Sequence, residues 1–231
     1  MSSVLSAGII AAGEGSRFRQ RGFATHKPML QVAGYPLIGH ALRNLQSAGI
    51  RRVAVIFNEE EPECAAWVRA HFAGLAPEIL IKSTASSFES FWLVGRLLGA
   101  GRHLLTTVDA FCLPHETRKM AALPPEEGLA LGVTSFVDDE KPLWVDMDEK
   151  SGKISEIGLA GGKYATAGFY NVPGSIFEKR PDGDIASLRF FLKWLVKNGT
   201  PAYGVVLSDV IDVDVPKDLE AAERLLEGSK I

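Results

Sequence analysis

Apolar and polar positions alternate along the first half of the chain as short buried runs and amphipathic stretches. Val4 to Ala11 is an apolar or small run of strand length, and Leu37 to Ala48 spaces its apolar residues along one helical face. Val53 to Phe57, Ala65 to Phe72 and Ile79 to Ile81 continue the order as strand, helix and strand. Ser86 and Glu89 have capping-box spacing and open a helix to about Leu98, where Gly99 and Gly101 end it. His103 to Val108 reads as the next buried strand and delivers Asp109 to its carboxyl end. In the second half Leu129 to Phe136, Leu143 to Met147, Lys153 to Ile157 and Ala165 to Val172 are strand-like, with Glu149-Lys150-Ser151-Gly152 as a hairpin connection. A helix from about Ile185 to Lys197, a strand from Tyr203 to Leu207 and a helix from Pro216 to Leu226 close the pattern.

This alternation predicts an α/β fold with a mostly parallel, mixed central sheet and helices on both faces. Such sheets bind ligands at the carboxyl ends of their strands, which singles out the loop after the first strand and Asp109. No repeat, linker or low-complexity segment divides the 231 residues, so residues 1–231 are read as a single domain. With 46% hydrophobic residues the chain can build a core without disulfides, and two cysteines, Cys64 and Cys112, suit a reducing cytosol. Lys plus Arg (25) against Asp plus Glu (28), with no basic run, argues against sequence-independent nucleic-acid binding. The opening MSSVLSAGIIAAGEG lacks the charged and apolar regions of a leader, and no membrane-length apolar run occurs. The expectation is a cytoplasmic protein with neither membrane nor nucleic acid as partner.

The loop Ala11-Ala12-Gly13-Glu14-Gly15-Ser16-Arg17 puts small residues where a buried strand turns, so backbone N–H groups can approach an anion; a plain turn would use the same glycines. A dinucleotide fingerprint would need a third glycine and a P-loop a Gly-Lys-Ser/Thr, and neither is present. Thr25-His26-Lys27-Pro28-Met29-Leu30 and Gly34-Tyr35-Pro36-Leu37-Ile38 follow in order. With these three segments the chain resembles the nucleotidyltransferase superfamily, whose fold is that of the nucleotide-diphospho-sugar transferases and related to GT-A glycosyltransferases. The ten positions between Arg17 and Lys27 resemble the enzymes that activate sugar phosphates or phosphocholine, whereas molybdopterin-cofactor nucleotidyltransferases usually have a shorter loop.

The resemblance implies roles for further residues. Asp109, in Thr107-Val108-Asp109-Ala110-Phe111, matches a magnesium ligand, and a carboxylate at a strand end is suited to that ion. Ile211-Asp212-Val213-Asp214-Val215-Pro216 resembles the family's closing segment, whose first aspartate takes the metal; this points to Asp212, with Asp214 as a helix cap. Strand alternation puts both on one face, so the reverse assignment stays open. Thr84, Ser87 and Ser90 stand at a helix start that by resemblance touches the base, although a capping box explains the same residues. Lys163 and Gly168, in Lys163-Tyr164-Ala165-Thr166-Ala167-Gly168-Phe169-Tyr170, resemble the acceptor side. The usual Glu-Lys-Pro before it is missing, which leaves sugar specificity open. Asp146-Met147-Asp148 is read as a solvated strand end, Cys112 as inert, and His26, His103 and His115 share no ligand spacing.

The resulting expectation is a Mg²⁺-dependent nucleotidyltransferase, its first half for the nucleotide and its second for the acceptor. It would transfer a nucleoside monophosphate from a triphosphate, CTP or UTP foremost, to a sugar, choline or polyol phosphate and release pyrophosphate. Arg17 and Lys27 would carry the catalysis, with the Ala11 to Ser16 loop on the phosphates. A GT-A-like glycosyltransferase and a non-catalytic nucleotide sensor are the rival readings, and a homo-oligomer is left open.

Overall fold

The computed structural model describes residues 6–13, 15–122, 128–136 and 141–229. The first half contains β1 (Ser6–Ala11), a short α1 (Ser16–Gln20), the ribbon β2 (Gln31–Val32) and β3 (Tyr35–Pro36), and α2 (Leu37–Ser47). It continues with β4 (Arg52–Phe57), α3 (Pro62–His71), β5 (Glu78–Ile81), α4 (Ser87–Leu98) and β6 (Arg102–Thr107). After β6 come β7 (Ala110–Cys112), α5 (Pro114–Ala122), β8 (Leu129–Thr134), β9 (Trp144–Met147), β10 (Ile154–Leu159) and β11 (Tyr164–Pro173). The chain then forms α6 (Leu188–Lys197), β12 (Ala202–Val206), β13 (Val210–Asp212) and α7 (Pro216–Gly228).

One sheet of nine strands runs in the order β10-β9-β11-β6-β1-β4-β5, with β8 beside β11 and β12 beside β8. β6, β1, β4 and β5 are mutually parallel, as the strand and helix alternation requires. From β11 outward the pairing is antiparallel on β6, β8 and β9, and parallel again only between β8 and β12. The sheet is thus the mixed one expected, parallel in its first half.

β1 is buried along its whole length, and its side chains still divide by alternation. Ala7, Ile9 and Ala11 join one core with α2, α3, α5 and α7, whereas Ile10 and Ala12 join a second core with α4 and α6. Helix α4 lies directly on the sheet at Gly8, where a Cβ would stand 2.2 Å from Val94 and 2.3 Å from Leu105. The second core is aromatic: Phe88, Phe91, Trp92, Phe177 and Phe191 pack edge to face or tilted, with Phe88 and Phe191 4.8 Å apart. Each buried phenyl contributes on the order of 1.5–3 kcal/mol by leaving water.

Boundaries differ from the pattern where a cap sets them. Helix α6 begins at Leu188 rather than near Ile185 because the Ser187 hydroxyl accepts the Phe190 N–H. Ser86 caps α4 by accepting from Glu89 N, while the Glu89 carboxylate turns to Ala85 N at 2.8 Å. The ribbons β2–β3 and β7–β13, helix α5 and the one-turn α1 carry too few periodic residues to be read from sequence. Cys64 and Cys112 are buried and free, and burial pushes their thiols up, to about 12 and about 11. Among the described residues no helix is long and apolar enough to cross a membrane.

Candidate active site

β1 and β6 end side by side at the carboxyl edge of the sheet, Val108 N donating to Ile10 O at 3.0 Å. Beyond β1 the loop opens to solvent at Gly13 and turns at Gly15, whose φ is +60°. A Cβ on Gly15 would stand 3.1 Å from the Lys27 Cβ, so this glycine lets the loop lie against Lys27. Glu14 lies outside the described residues; Ala11 and Ala12 are buried, and Ser16 is exposed at the start of α1.

Lys27 is largely buried, and its Nζ donates to Asp109 Oδ2 at 2.8 Å and to Asp214 Oδ1 at 2.7 Å. Arg17 pairs with the other oxygen of Asp214. Burial alone would lower the Lys27 pKa, but the Asp109 and Asp214 carboxylates outweigh it and hold the ammonium above its ordinary value. Burial likewise works to raise the Asp109 carboxyl, yet Lys27 and the Thr107 hydroxyl bring it below the usual carboxylate range.

The two distant acidic segments meet because β7 pairs antiparallel with β13, Ala110 opposite Asp212, and Val213 N donates to Asp109 O at 3.0 Å. Carboxylate oxygens of Asp109, Asp212 and Asp214 all lie within 4.8 Å of one another. The capping role expected of Asp214 belongs to Asp218, whose Oδ2 accepts Asp214 N at 2.8 Å and Val215 N at 2.7 Å. That frees the Asp214 side chain for the two cations. A divalent cation fits this oxygen-only set, with Asp109 and Asp212 opening toward a cavity and Asp214 toward the cations.

The cavity has a volume of about 370 Å³ and extends from Asp109 and Asp212 along Thr107, Gly168 and Tyr170 to Arg189 and α7. Gly168 takes φ +75°, and a Cβ there would stand 2.6 Å from both Ala110 Cβ and Thr107 Oγ1. Burial raises the Tyr170 phenol, Asp109 and Asp212 push it further, and Arg189 pulls the other way. The phenol and the Arg189 guanidinium therefore share the field of the acidic cluster. Arg189 is steadied by the carbonyls of Lys141 (2.5 Å) and Pro142 (3.4 Å).

Lys163, expected on the acceptor, stands outside this cavity: it is exposed and pairs with Glu149 at 2.6 Å. Ser90 is buried, 2.6 Å from the Thr84 hydroxyl, and Ser87 accepts Leu188 N at 3.0 Å to tie α4 to α6. All three hydroxyls are thus engaged at the start of α4 and its junction with α6. Asn58, missed by sequence reading, links Ala12 O (3.4 Å) with Glu60 N and the Ser83 hydroxyl, joining three loops at the sheet edge. Asp146 and Asp148 are exposed, as expected of a strand end. His115 does meet carboxylates, Asp209 at 3.0 Å and Glu116 at 3.6 Å, but Glu116 Oε1 is taken by Ser208 N, Ser208 Oγ and Asp209 N.

A glycine loop, paired cations and clustered carboxylates gathered at one sheet edge define a class, the α/β domains with a candidate site at the carboxyl ends of their parallel strands. Comparison narrows it: the MobA-like NTP transferase domain matches residues 7–137, and the chain belongs to that family. The bifunctional IPC transferase and DIPP synthase of Aquifex aeolicus is 25% identical over 241 residues, 99% of this chain and 53% of that protein. The CMP-5'-(3-aminopropyl)phosphonate synthase of Streptomyces rubellomurinus is 26% identical over 53% of this chain and 20% of its own length. The chain thus spans about half the length, or less, of these curated relatives. Among solved structures, the inositol-1-phosphate CTP transferase from T. maritima superposes with a TM-score of 0.81 at 22% identity over 98% of each chain, a likeness of fold.

Proposed function

We propose that the chain transfers a nucleoside monophosphate from a triphosphate to a small phosphorylated acceptor, releasing pyrophosphate. The observation that carries this reading is the convergence of Lys27 and Arg17 on Asp109 and Asp214, at the mouth of a cavity reaching Arg189. Phosphoryl-type transfers need two anions held in line and the growing charge on the leaving group neutralised, and need little covalent help.

The backbone amides of the glycine loop at Gly13 and Gly15, with Arg17, suit the β- and γ-phosphates and the departing pyrophosphate. Lys27 suits the α-phosphate, which it would reach by exchanging its carboxylate partners for phosphate oxygens. Mg²⁺ on Asp109 and Asp212, with Asp214 beside them, would supply charge neutralisation at the phosphates. Arg189, rather than Lys163, then faces the acceptor phosphate, and the Tyr170 hydroxyl lies on the same wall. A phosphate monoester is already ionised near neutrality, so no general base is needed.

The names of the relatives, an IPC transferase and a CMP-phosphonate synthase, support a phosphate or phosphonate acceptor and CTP as the first triphosphate to try, with UTP next. They also favour this branch over a molybdopterin-type acceptor. A glycosyltransferase, consuming a diphosphate donor, has no use for the Arg17 and Lys27 pair beside the glycine loop. We place the reaction in the cytoplasm, where triphosphates are abundant and the two buried thiols stay reduced.

The test is pyrophosphate release with each triphosphate and Mg²⁺ against inositol, sugar and choline phosphates and an aminoalkylphosphonate. Turnover with one acceptor that depends on Arg17 and Lys27 supports the reading. Triphosphate binding with no pyrophosphate across the acceptor set would favour a sensor.

A further inference from the structure

The segment that carries Lys27 is short, and its neighbour His26 makes two contacts that phosphate chemistry does not require. His26 Nδ1 lies 3.1 Å from Glu61 Oε1 and its Nε2 lies 3.2 Å from Glu63 Oε1, so the ring is held between two carboxylates of the α3 start. A neutral imidazole has one N–H and can donate to one of them; an imidazolium donates to both. Glu61 is only 2% exposed, and its second oxygen, Oε2, is buried without a hydrogen bond. Burial raises the Glu61 carboxyl, and His26 and Arg19 work against that rise. The other charged groups here are Glu60 and Arg19, 3.7 Å apart, with Arg19 also acting on Glu61. The Cys64 thiol feels both Glu61 and Glu63 and is neutral.

The contacts of His26 join the turn that carries Lys27 to the end of β1. Met29 N donates to His26 O at 2.9 Å and Leu30 N to Lys27 O at 3.2 Å, so the 3₁₀ turn that carries Lys27 starts from the latched residue. Glu61 N in turn donates to Asn58 O at 3.1 Å, and Asn58 holds Ala12 at the end of β1. Before a nucleotide binds, Lys27 is also anchored through its side chain by Asp109 and Asp214. Once the ammonium moves to phosphate, that anchor is lost, and the backbone contacts through His26 are what keep Lys27 placed.

We propose that His26 is the positioning residue for Lys27, clamping its turn to Glu61 and Glu63 while the side chain serves the transferred phosphate. The proposal rests on the function proposed above, and two measurements separate them. The first is kcat and KM for the triphosphate at a single pH. His26→Ala should lower kcat by about 10- to 100-fold, the scale of a small misplacement of a reacting group, with a smaller change in KM. His26→Arg, charged at every pH and able to reach two carboxylates, should restore most of kcat. The second needs no turnover: amide exchange at Met29 and Leu30 should quicken in His26→Ala and return toward wild type in His26→Arg.

A folded His26→Ala protein with wild-type kcat and exchange overturns the proposal, as does a loss that His26→Arg fails to restore. If Lys27→Ala turns over like the wild type, the proposed function is at fault, and the exchange measurement still decides the latch.

Discussion

Lys27 occupies the place from which it can neutralise the acidic cluster in the absence of an ion, and this makes a quantitative prediction for Lys27→Ala. The ammonium lies 2.8 Å from Asp109 Oδ2, so an ion bonded to that oxygen at about 2.1 Å would be within about 5 Å of it. In a fully aqueous dielectric, repulsion between a divalent ion and one positive charge at that distance is about 1.7 kcal/mol. Removing Lys27 should therefore tighten Mg²⁺ or Mn²⁺ binding, measured calorimetrically without nucleotide, by on the order of 15-fold at low salt. The gain should shrink as salt is added. Turnover should move the opposite way, falling about 10²- to 10³-fold, the scale for losing one charge-stabilising donor. Tighter metal binding together with lost turnover is the signature of a cation that shares its carboxylates with the ion. Unchanged or weaker metal binding in a folded Lys27→Ala protein would refute the shared site.

Other outcomes follow from the same geometry. The Asp109 carboxyl is held below its unfolded value, so it contributes stability above pH 4 or so that is lost as the pH falls through its folded value; acid unfolding curves should show a smaller loss in Asp109→Asn than in the wild type. Gly168→Ala combines a left-handed backbone with a Cβ 2.6 Å from Ala110 and should destabilise by roughly 2–4 kcal/mol in chemical denaturation. Arg189→Gln should raise KM for the acceptor at least tenfold with triphosphate affinity unchanged, whereas Lys163→Ala, a salt bridge in open solvent, should leave both constants near wild type.

Local signals made much of this molecule legible. The parallel half followed from apolar runs bounded by turns, and α4 from its serine cap, because each depends on neighbours within a few residues. Arg17, Lys27, Asp109 and Asp214 were recognisable as candidates because motif order carried them, and the structure brings all four together. What sequence could not give was contact over long separations. The pairing of Ala110–Cys112 with Val210–Asp212 is too short to leave a periodic trace, yet it sets Asp212 beside Asp109. A motif fixes the strand that carries Lys163 but not the direction of its side chain, which the structure turns to Glu149 outside the cavity. Arg189 gave no signal beyond a charge following a cap, and Asp218 took the capping role from Asp214 through a reach of four residues.

The short ribbon between β7 and β13 has a consequence for the order of synthesis. Asp109 leaves the ribosome long before Asp212 and Asp214, and the strand that aligns with β7 does not exist until the closing segment has emerged. A nascent chain can complete the parallel half of its sheet and expose the glycine loop while still lacking two of its three clustered carboxylates. Until β13 pairs with β7, the cluster of three carboxylates is incomplete.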